Sequence, residues 1–301
     1  MSPRLLKTTP PEYGSLGPTT PLRIRKLRQT PQPYLHGFSK EEQQRLIAQS
    51  RHAEAKIFEG LDFNNTDHLL EVGVGVGAQT KILLERFPHL TVTGIDQEQV
   101  QMAAARQYLT QFPAFNGRWD LRQMSAYQLE LAENSVGGVF FCWVLEHLSA
   151  PQTALNEAFR VMRPGTSIFA NEVMNHTFFL DPKPEHLWTY WETFMSYQQS
   201  QAGDPNIGAR LGDLFHKAGF TAIRTEPKTW NLDARHPAER SAQLQFWCDL
   251  ILSGAPKLLE QGLVTPQLVE GVTQDFQELR SRSDTVFYYS FMQAFGTKPQ
   301  P

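Results

Sequence analysis

Glu71, Gly73, Gly75 and Gly77 fall on alternate positions of LLEVGVGVGAQTKILL (69–84), and Asp96 follows nineteen residues after the last of them. An apolar run that ends in glycines and passes straight into an amphipathic segment reads as strand, tight turn and helix. Glycines there let the backbone turn and approach a ligand that a side chain would obstruct. The ligand class this implies is nucleotide-like. Asp96 ends the next apolar run, where a carboxylate can accept hydrogen bonds from both hydroxyls of a ribose, and Gln97 beside it joins the candidate set. The glycines alone do not choose the ligand, because Gly73, Gly75 and Ala78 also satisfy the GxGxx(G/A) pattern of dinucleotide-binding turns.

The elements that hold these residues follow an alternating pattern. Strands are predicted at 68–72, 91–95, 118–123, 139–143 and 167–171, with helices at 78–87, stopped by Pro88, and at 97–112, where Val100, Ala104 and Tyr108 share a face. Such alternation predicts an α/β fold, a mostly parallel sheet flanked by helices. Upstream, Ser39 and Glu42 form a capping box for a helix to about Phe58, with Leu46, Ala53 and Ile57 on one face. After Glu172 the alternation breaks into a stretch dense in Phe178, Phe179, Trp188, Tyr190, Trp191, Phe194 and Tyr197, a predicted helical cap over about 176–207. A helix at 208–218 with a stop at Gly219, a strand at 221–224, a second helical excursion at about 237–280 and a final strand at 285–291 complete the chain.

The flanking residues discriminate between ligands. An acidic residue followed by GxGxG, here Glu71 with Gly73, Gly75 and Gly77, resembles the first motif of class I S-adenosylmethionine-dependent methyltransferases. VFFCWVLEHLSAP (139–151) is similar to their fourth motif, and RVMRPGT (160–166) to the turn before their fifth strand. GARLGDLFHKAGF and TVFYYSF also look like a bacterial and archaeal small-molecule subgroup, so the resemblance spans about 36–296. It implies a seven-stranded Rossmann-like sheet, S-adenosyl-L-methionine as cofactor and Glu71 near the amino-acid end of that cofactor. Two departures stand out: Ser125 and Ala126 occupy the positions where many relatives carry an acidic residue beside the adenine, and Gly137 stands where an aspartate often precedes the fourth strand. Trp143, ending the fourth strand, is expected beside the cofactor. Tyr34, His36 and Phe38 lie where similar enzymes fold a lid, which would shield the cofactor from water.

Methyl transfer from a sulfonium needs alignment above all, and needs a base only if the nucleophile must lose a proton. His147, after the fourth strand, is a candidate base, with a structural or cofactor-side role as the stronger alternative. Glu172, Asn175 and His176 follow the fifth strand at the carboxyl edge of the sheet, where open α/β folds place ligands, and Glu172 and His176 join His147 as candidate catalytic residues. Their alternative is a loop whose polar groups satisfy the backbone. About half of the cap aromatics are expected in the core and the rest around an apolar or aromatic acceptor.

Composition narrows the function classes. A net charge of −3 with 41% hydrophobic residues argues against a nucleic-acid partner. The first thirty residues are the exception, with six basic side chains against Glu12, a net of +5. Residues 1–35 also carry seven prolines and are expected as an extended basic arm, solvated or making an intersubunit contact, ahead of one domain at 36–301. No apolar run suits a signal peptide or a membrane span, so a cytoplasmic location is expected. Cys142 and Cys248 form neither a disulfide framework nor a metal spacing, and no metal is expected. The function expected is methyl transfer to carbon, nitrogen or oxygen of a small molecule in specialised metabolism. The alternatives are an RNA or protein methyltransferase, and a regulator that binds the cofactor without catalysis.

Overall fold

The computed structural model describes residues 34–301; the expected arm therefore lies outside the described residues except for Tyr34 and Leu35. Helix α1 (Lys40–Ile57) starts at Ser39, whose hydroxyl accepts the Glu42 N–H at 3.2 Å. Only half of the predicted capping box forms. The Glu42 carboxylate turns away from Ser39 to Arg45, at 2.6 and 2.7 Å, and to the Tyr34 hydroxyl.

The alternating part follows as β1 (His68–Val72), α2 (Ala78–Arg86), β2 (Thr91–Asp96), α3 (Gln99–Leu109), β3 (Trp119–Gln123), β4 (Val136–Cys142), α4 (Pro151–Val161) and β5 (Met162–Val173). These strands lie parallel in the order β3-β2-β1-β4-β5. Strand β8 (Val286–Thr297) then runs antiparallel to β5, and β7 (Thr221–Leu232) antiparallel along the other edge of β8. The expected sheet gains a short strand, β6 (Phe179–Asp181), which continues the β5 edge: Phe287 of β8 pairs with Leu180 on one side and Leu232 on the other. Successive side chains alternate between faces. Leu69, Phe140, Phe169 and Phe295 join the core under α1, while Leu70, Val139, Phe141, Ile168 and Ala294 join the core that includes Leu155 of α4. Each fully buried phenylalanine or leucine contributes roughly 1.5–3 kcal/mol.

Several bounds differ from expectation for physical reasons. The interior face of α3 is Gln101, Met102, Ala105 and Leu109, not Val100, Ala104 and Tyr108, and Val100 is 53% exposed. Strand β7 continues through Glu226, Pro227 and Lys228, a polar stretch with a proline that reads poorly as strand but is tolerated at a sheet edge. Gly137 has a packing reason: a Cβ there would meet the Arg163 guanidinium at 2.5 Å and Asp67 Oδ1 at 2.6 Å, an ion pair that joins β5 to the chain before β1.

The segments predicted as a cap hold α5 (Glu185–Ser200), α7 (Pro237–Ser253), α8 (Ala255–Glu260) and α9 (Pro266–Ser281), with α6 (Leu211–Ala218) between them. Asp275 of α9 accepts the Leu187 N–H of α5 at 2.8 Å, and the Tyr190 hydroxyl donates to the Ile251 carbonyl of α7 at 3.0 Å. Phe178, Trp191, Phe194 and Trp247 are buried, with Phe178 and Trp247 stacked at 4.5 Å. Among the described residues no helix is long and apolar enough to cross a membrane.

Candidate cofactor and acceptor site

The three glycines after β1 do different work. All have φ between +50° and +77°. A Cβ on Gly73 would sit 2.3 Å from Val144 Cγ2, and one on Gly77 would press on Ala105 and Leu109 of α3 at 3.2–3.3 Å. Both are therefore packing glycines. Only at Gly75 would a Cβ meet nothing within 4 Å, leaving the turn open towards a ligand.

Asp96 fastens this turn. Its Oδ2 accepts the Gly75 N–H at 3.0 Å and its Oδ1 the Glu98 N–H at 2.9 Å, which also explains why α3 begins at Gln99. Burial raises its pKa, opposed by these amides. Glu71 is buried on β1, accepts the Thr80 hydroxyl of α2 at 2.5 Å, and is pushed up to about 8 by burial, with Asp96 adding repulsion and Thr80 opposing. Gln97 is exposed, while Ser125 and Ala126 are half-buried in the turn after β3, where Ser125 Oγ accepts the Tyr127 N–H at 3.2 Å. The Met124 N–H bonds the Asp96 carbonyl at 2.9 Å and so ties this turn to the end of β2. Val100, the second residue of α3, is exposed.

Trp143 follows β4 with φ +55°, its N–H on the Asn171 carbonyl at 2.9 Å and its ring edge-on to Phe291 at 6.0 Å. Its indole Nε1 is buried without a partner among the described residues. Glu172 departs from the expectation of a residue facing the crevice. It is fully buried, with Oε1 accepting the N–H groups of Val144 and Leu145 at 3.0 and 2.9 Å and Oε2 that of Glu146 at 3.3 Å. Burial, reinforced by Glu146, lifts its pKa to about 8 against those amides. Alternation along β5 turns this side chain beneath the loop after β4, whose three N–H groups it accepts. His176 is exposed on a single turn, with its N–H on Asn206 Oδ1 at 2.9 Å, while the neighbouring Asn175 is buried and accepts the Tyr289 hydroxyl at 3.2 Å.

His147 lies in the turn that Glu172 builds. Its Nε2 is 3.6 Å from Glu146 Oε1, and the other oxygen of Glu146 accepts Gln198 Nε2 of α5 at 2.7 Å. The Tyr34 ring meets His147 edge-on at 5.2 Å, stacks on Phe38 at 5.5 Å and reaches Glu42 through its hydroxyl at 3.3 Å. Leu35 is buried, and a Cβ on Gly254 would touch Leu35 at 3.3 Å and Phe194 at 3.0 Å. Residues 34–38 thus join the loop after β4 to α5 and to the end of α7. Sequence reasoning missed Gln198, and within LEHL it singled out His147 but not Glu146, because the pairing of Glu146 with Gln198 arises only where α5 packs on the loop after β4.

S-adenosylmethionine fits this edge: the open Cβ position at Gly75 accommodates close approach, and buried carboxylates suit a ligand carrying sulfonium and ammonium charges. The model of a methyltransferase domain matches residues 70–170. An O-methyltransferase, cnsE, of Penicillium expansum is 32% identical over 211 residues, 68% of each chain. The O-methyltransferase rstn1 of Aspergillus nomiae is 28% identical over 56% of this chain and 70% of its own. Among the curated relatives the matched stretch spans 35–70% of their own lengths. The solved phosphoethanolamine N-methyltransferase 2 of Haemonchus contortus, bound to phosphomonomethylethanolamine and S-adenosylhomocysteine, shares the fold with a TM-score of 0.51 at 18% identity, over 85% of this chain and 53% of that one. The resemblance carried by Glu71 and the three glycines is thereby established as kinship: the chain belongs to the class I S-adenosylmethionine-dependent methyltransferases.

Proposed function

We propose that this enzyme methylates an oxygen of a small acceptor with apolar or aromatic character, held between the cofactor turn, residues 34–38 and the helices α5 and α7. The observation that carries this reading is the segment 34–38, which covers the loop after β4 with Tyr34 and anchors Leu35 under Phe194 and Gly254. A covered site favours an acceptor that can be enclosed over one that remains a long polymer. The O-methyltransferases among the relatives support oxygen as the atom methylated. When bound, S-adenosylmethionine supplies an electrophilic methyl on sulfonium with a neutral thioether as leaving group.

The chain's own residues supply binding, alignment and exclusion of water. Asp96 and Gln97 would meet the ribose, Glu71 the amino-acid end, Ser125, Ala126 and Val100 the adenine, and Gly73 and Gly77 would hold the turn that presents Gly75. Trp143 would flank the cofactor, and His147 with Tyr34 would form the wall towards the acceptor. Glu172 acts through the loop it fastens. His176 is retained only as a residue of the rim. Two free cysteines, Cys142 and Cys248, fit a reducing, cytoplasmic setting.

Incubation with methyl-labelled S-adenosylmethionine and a panel of phenols, carboxylic acids, amines, bulk RNA and a protein extract tests this reading by mass spectrometry of the products. Label is expected on an oxygen of a low-mass phenol or acid. Label confined to amines, RNA or protein would sink it.

A further inference from the structure

We infer that His36 is the residue that receives the acceptor's hydroxyl proton, its imidazole held in a single tautomer by Ser253; this rests on the oxygen acceptor proposed above. The local chain places the ring. Gly37 has φ +70° and its N–H bonds the Tyr34 carbonyl at 3.0 Å, so residues 34–37 close a turn that sets the Tyr34 and His36 rings 5.2 Å apart. The same Tyr34 ring is 5.2 Å from His147, which brings His36 to within one aromatic ring of the loop after β4. Phe194 of α5 packs on its other side at 5.6 Å.

The tautomer follows from counting hydrogens. His36 Nδ1 lies 2.5 Å from Ser253 Oγ, and the Ser253 hydroxyl donates its one hydrogen to the Leu250 carbonyl at 2.7 Å. Ser253 can then only accept from His36, so Nδ1 carries the hydrogen and the lone pair of the neutral ring sits on Nε2. Nε2 has no hydrogen-bond partner among the described residues. Burial, with the charges of Arg45 on α1 and of His147, pushes the His36 pKa well below the usual imidazole range, so the lone pair stays available at neutral pH. His147, by contrast, has its Nε2 beside a Glu146 carboxylate already held by Gln198.

In the step, the acceptor's O–H bond breaks with its proton passing to His36 Nε2. The oxygen forms a bond to the methyl carbon, and the carbon–sulfur bond breaks with its electron pair returning to sulfur. The imidazolium then releases the proton to water. A weakly basic imidazole suits an acidic hydroxyl, so the acceptor class is a phenol or enol in preference to an aliphatic alcohol.

Two measurements test this on the full chain. With histidine labelled in nitrogen-15 and S-adenosylhomocysteine bound, the His36 ring, assigned by its absence in His36→Gln, is expected to show a protonated Nδ1 and an unprotonated Nε2 from pH 6 to 8. A protonated Nε2, or titration near the ordinary imidazole value, overturns the inference without any acceptor. In methyl transfer, His36→Gln is expected to lower kcat about 100-fold or more with a phenol, but only a few-fold with a carboxylate, which has no proton to lose. Ser253→Ala should cost less than His36→Gln and loosen the tautomer. Equal losses with phenol and carboxylate would mark His36 as structural and overturn the inference. Failure of the unaltered enzyme to methylate any oxygen acceptor counts instead against the proposed function, and the nitrogen spectrum still decides the tautomer.

Discussion

Gly73 and Gly75 stand two positions apart, and the structure assigns them separable effects. Gly73→Ala puts a methyl 2.3 Å from Val144 Cγ2 at φ +76°, so a loss of about 3 kcal/mol is expected from overpacking and left-handed strain together. Gly75→Ala, open on all sides at φ +50°, should cost only about 1 kcal/mol of stability yet weaken S-adenosylmethionine binding. Thermal unfolding and calorimetry on the two variants check this; equal effects on both readouts would refute the division. Glu71 adds a pH dependence. Its folded pKa of about 8 lies above the ordinary 4.5, so the folded chain holds a proton that the unfolded chain releases, and its contribution to stability falls as pH rises across that window. A cationic cofactor favours the ionised carboxylate, so affinity for S-adenosylmethionine should rise between pH 6 and 8 with release of a proton. Calorimetry in buffers of different ionisation heat measures that release, and Glu71→Gln should abolish it.

At the scale of elements, the loop after β4 depends on β5 through one side chain. Glu172→Ala would leave the N–H groups of Val144, Leu145 and Glu146 without their acceptor, for an expected loss of about 2–4 kcal/mol. Hydrogen exchange should quicken at these three amides. Glu172→Gln should recover part of the loss, since its amide oxygen can still accept from Val144 and Leu145 while its NH2 group faces the Glu146 N–H. A Glu172→Ala protein of unchanged stability that lacks activity would restore Glu172 as a residue meeting the acceptor. The strand–turn–helix around Gly75 was legible because the pattern of apolar residues and glycines that forms it is local. The destination of Glu172 was not, since the two faces of β5 differ only in what distant segments lay over them.

Across the whole molecule, residues 34–38 link the cofactor half to the helices outside the alternation. Leu35 is the anchor, buried against Phe194 and Gly254. Leu35→Asp would set a charge in that apolar contact, and the segment should come away while the sheet remains intact. The expected outcome is dissociation of S-adenosylhomocysteine about ten-fold faster, read by stopped-flow, because a segment that covers the bound cofactor would add to residence time more than to the sheet's stability. An unchanged dissociation rate would mean that the segment does not cover the bound cofactor.

The sequence by itself determined the parallel core, the glycine turn and Asp96 at the end of the next strand, and its resemblance to known motifs indicated the family. Those features rest on periodicity and on backbone freedom, which act within a few residues. Only the tertiary structure decided that Gly73 and Gly77 serve packing, that Glu172 faces inward, that Val100 lies in solvent, and that Tyr34 and His36 reach residues more than a hundred positions away. Long-range contacts such as His36 with Ser253 depend on how helices stack over a sheet face, and no local pattern encodes that choice.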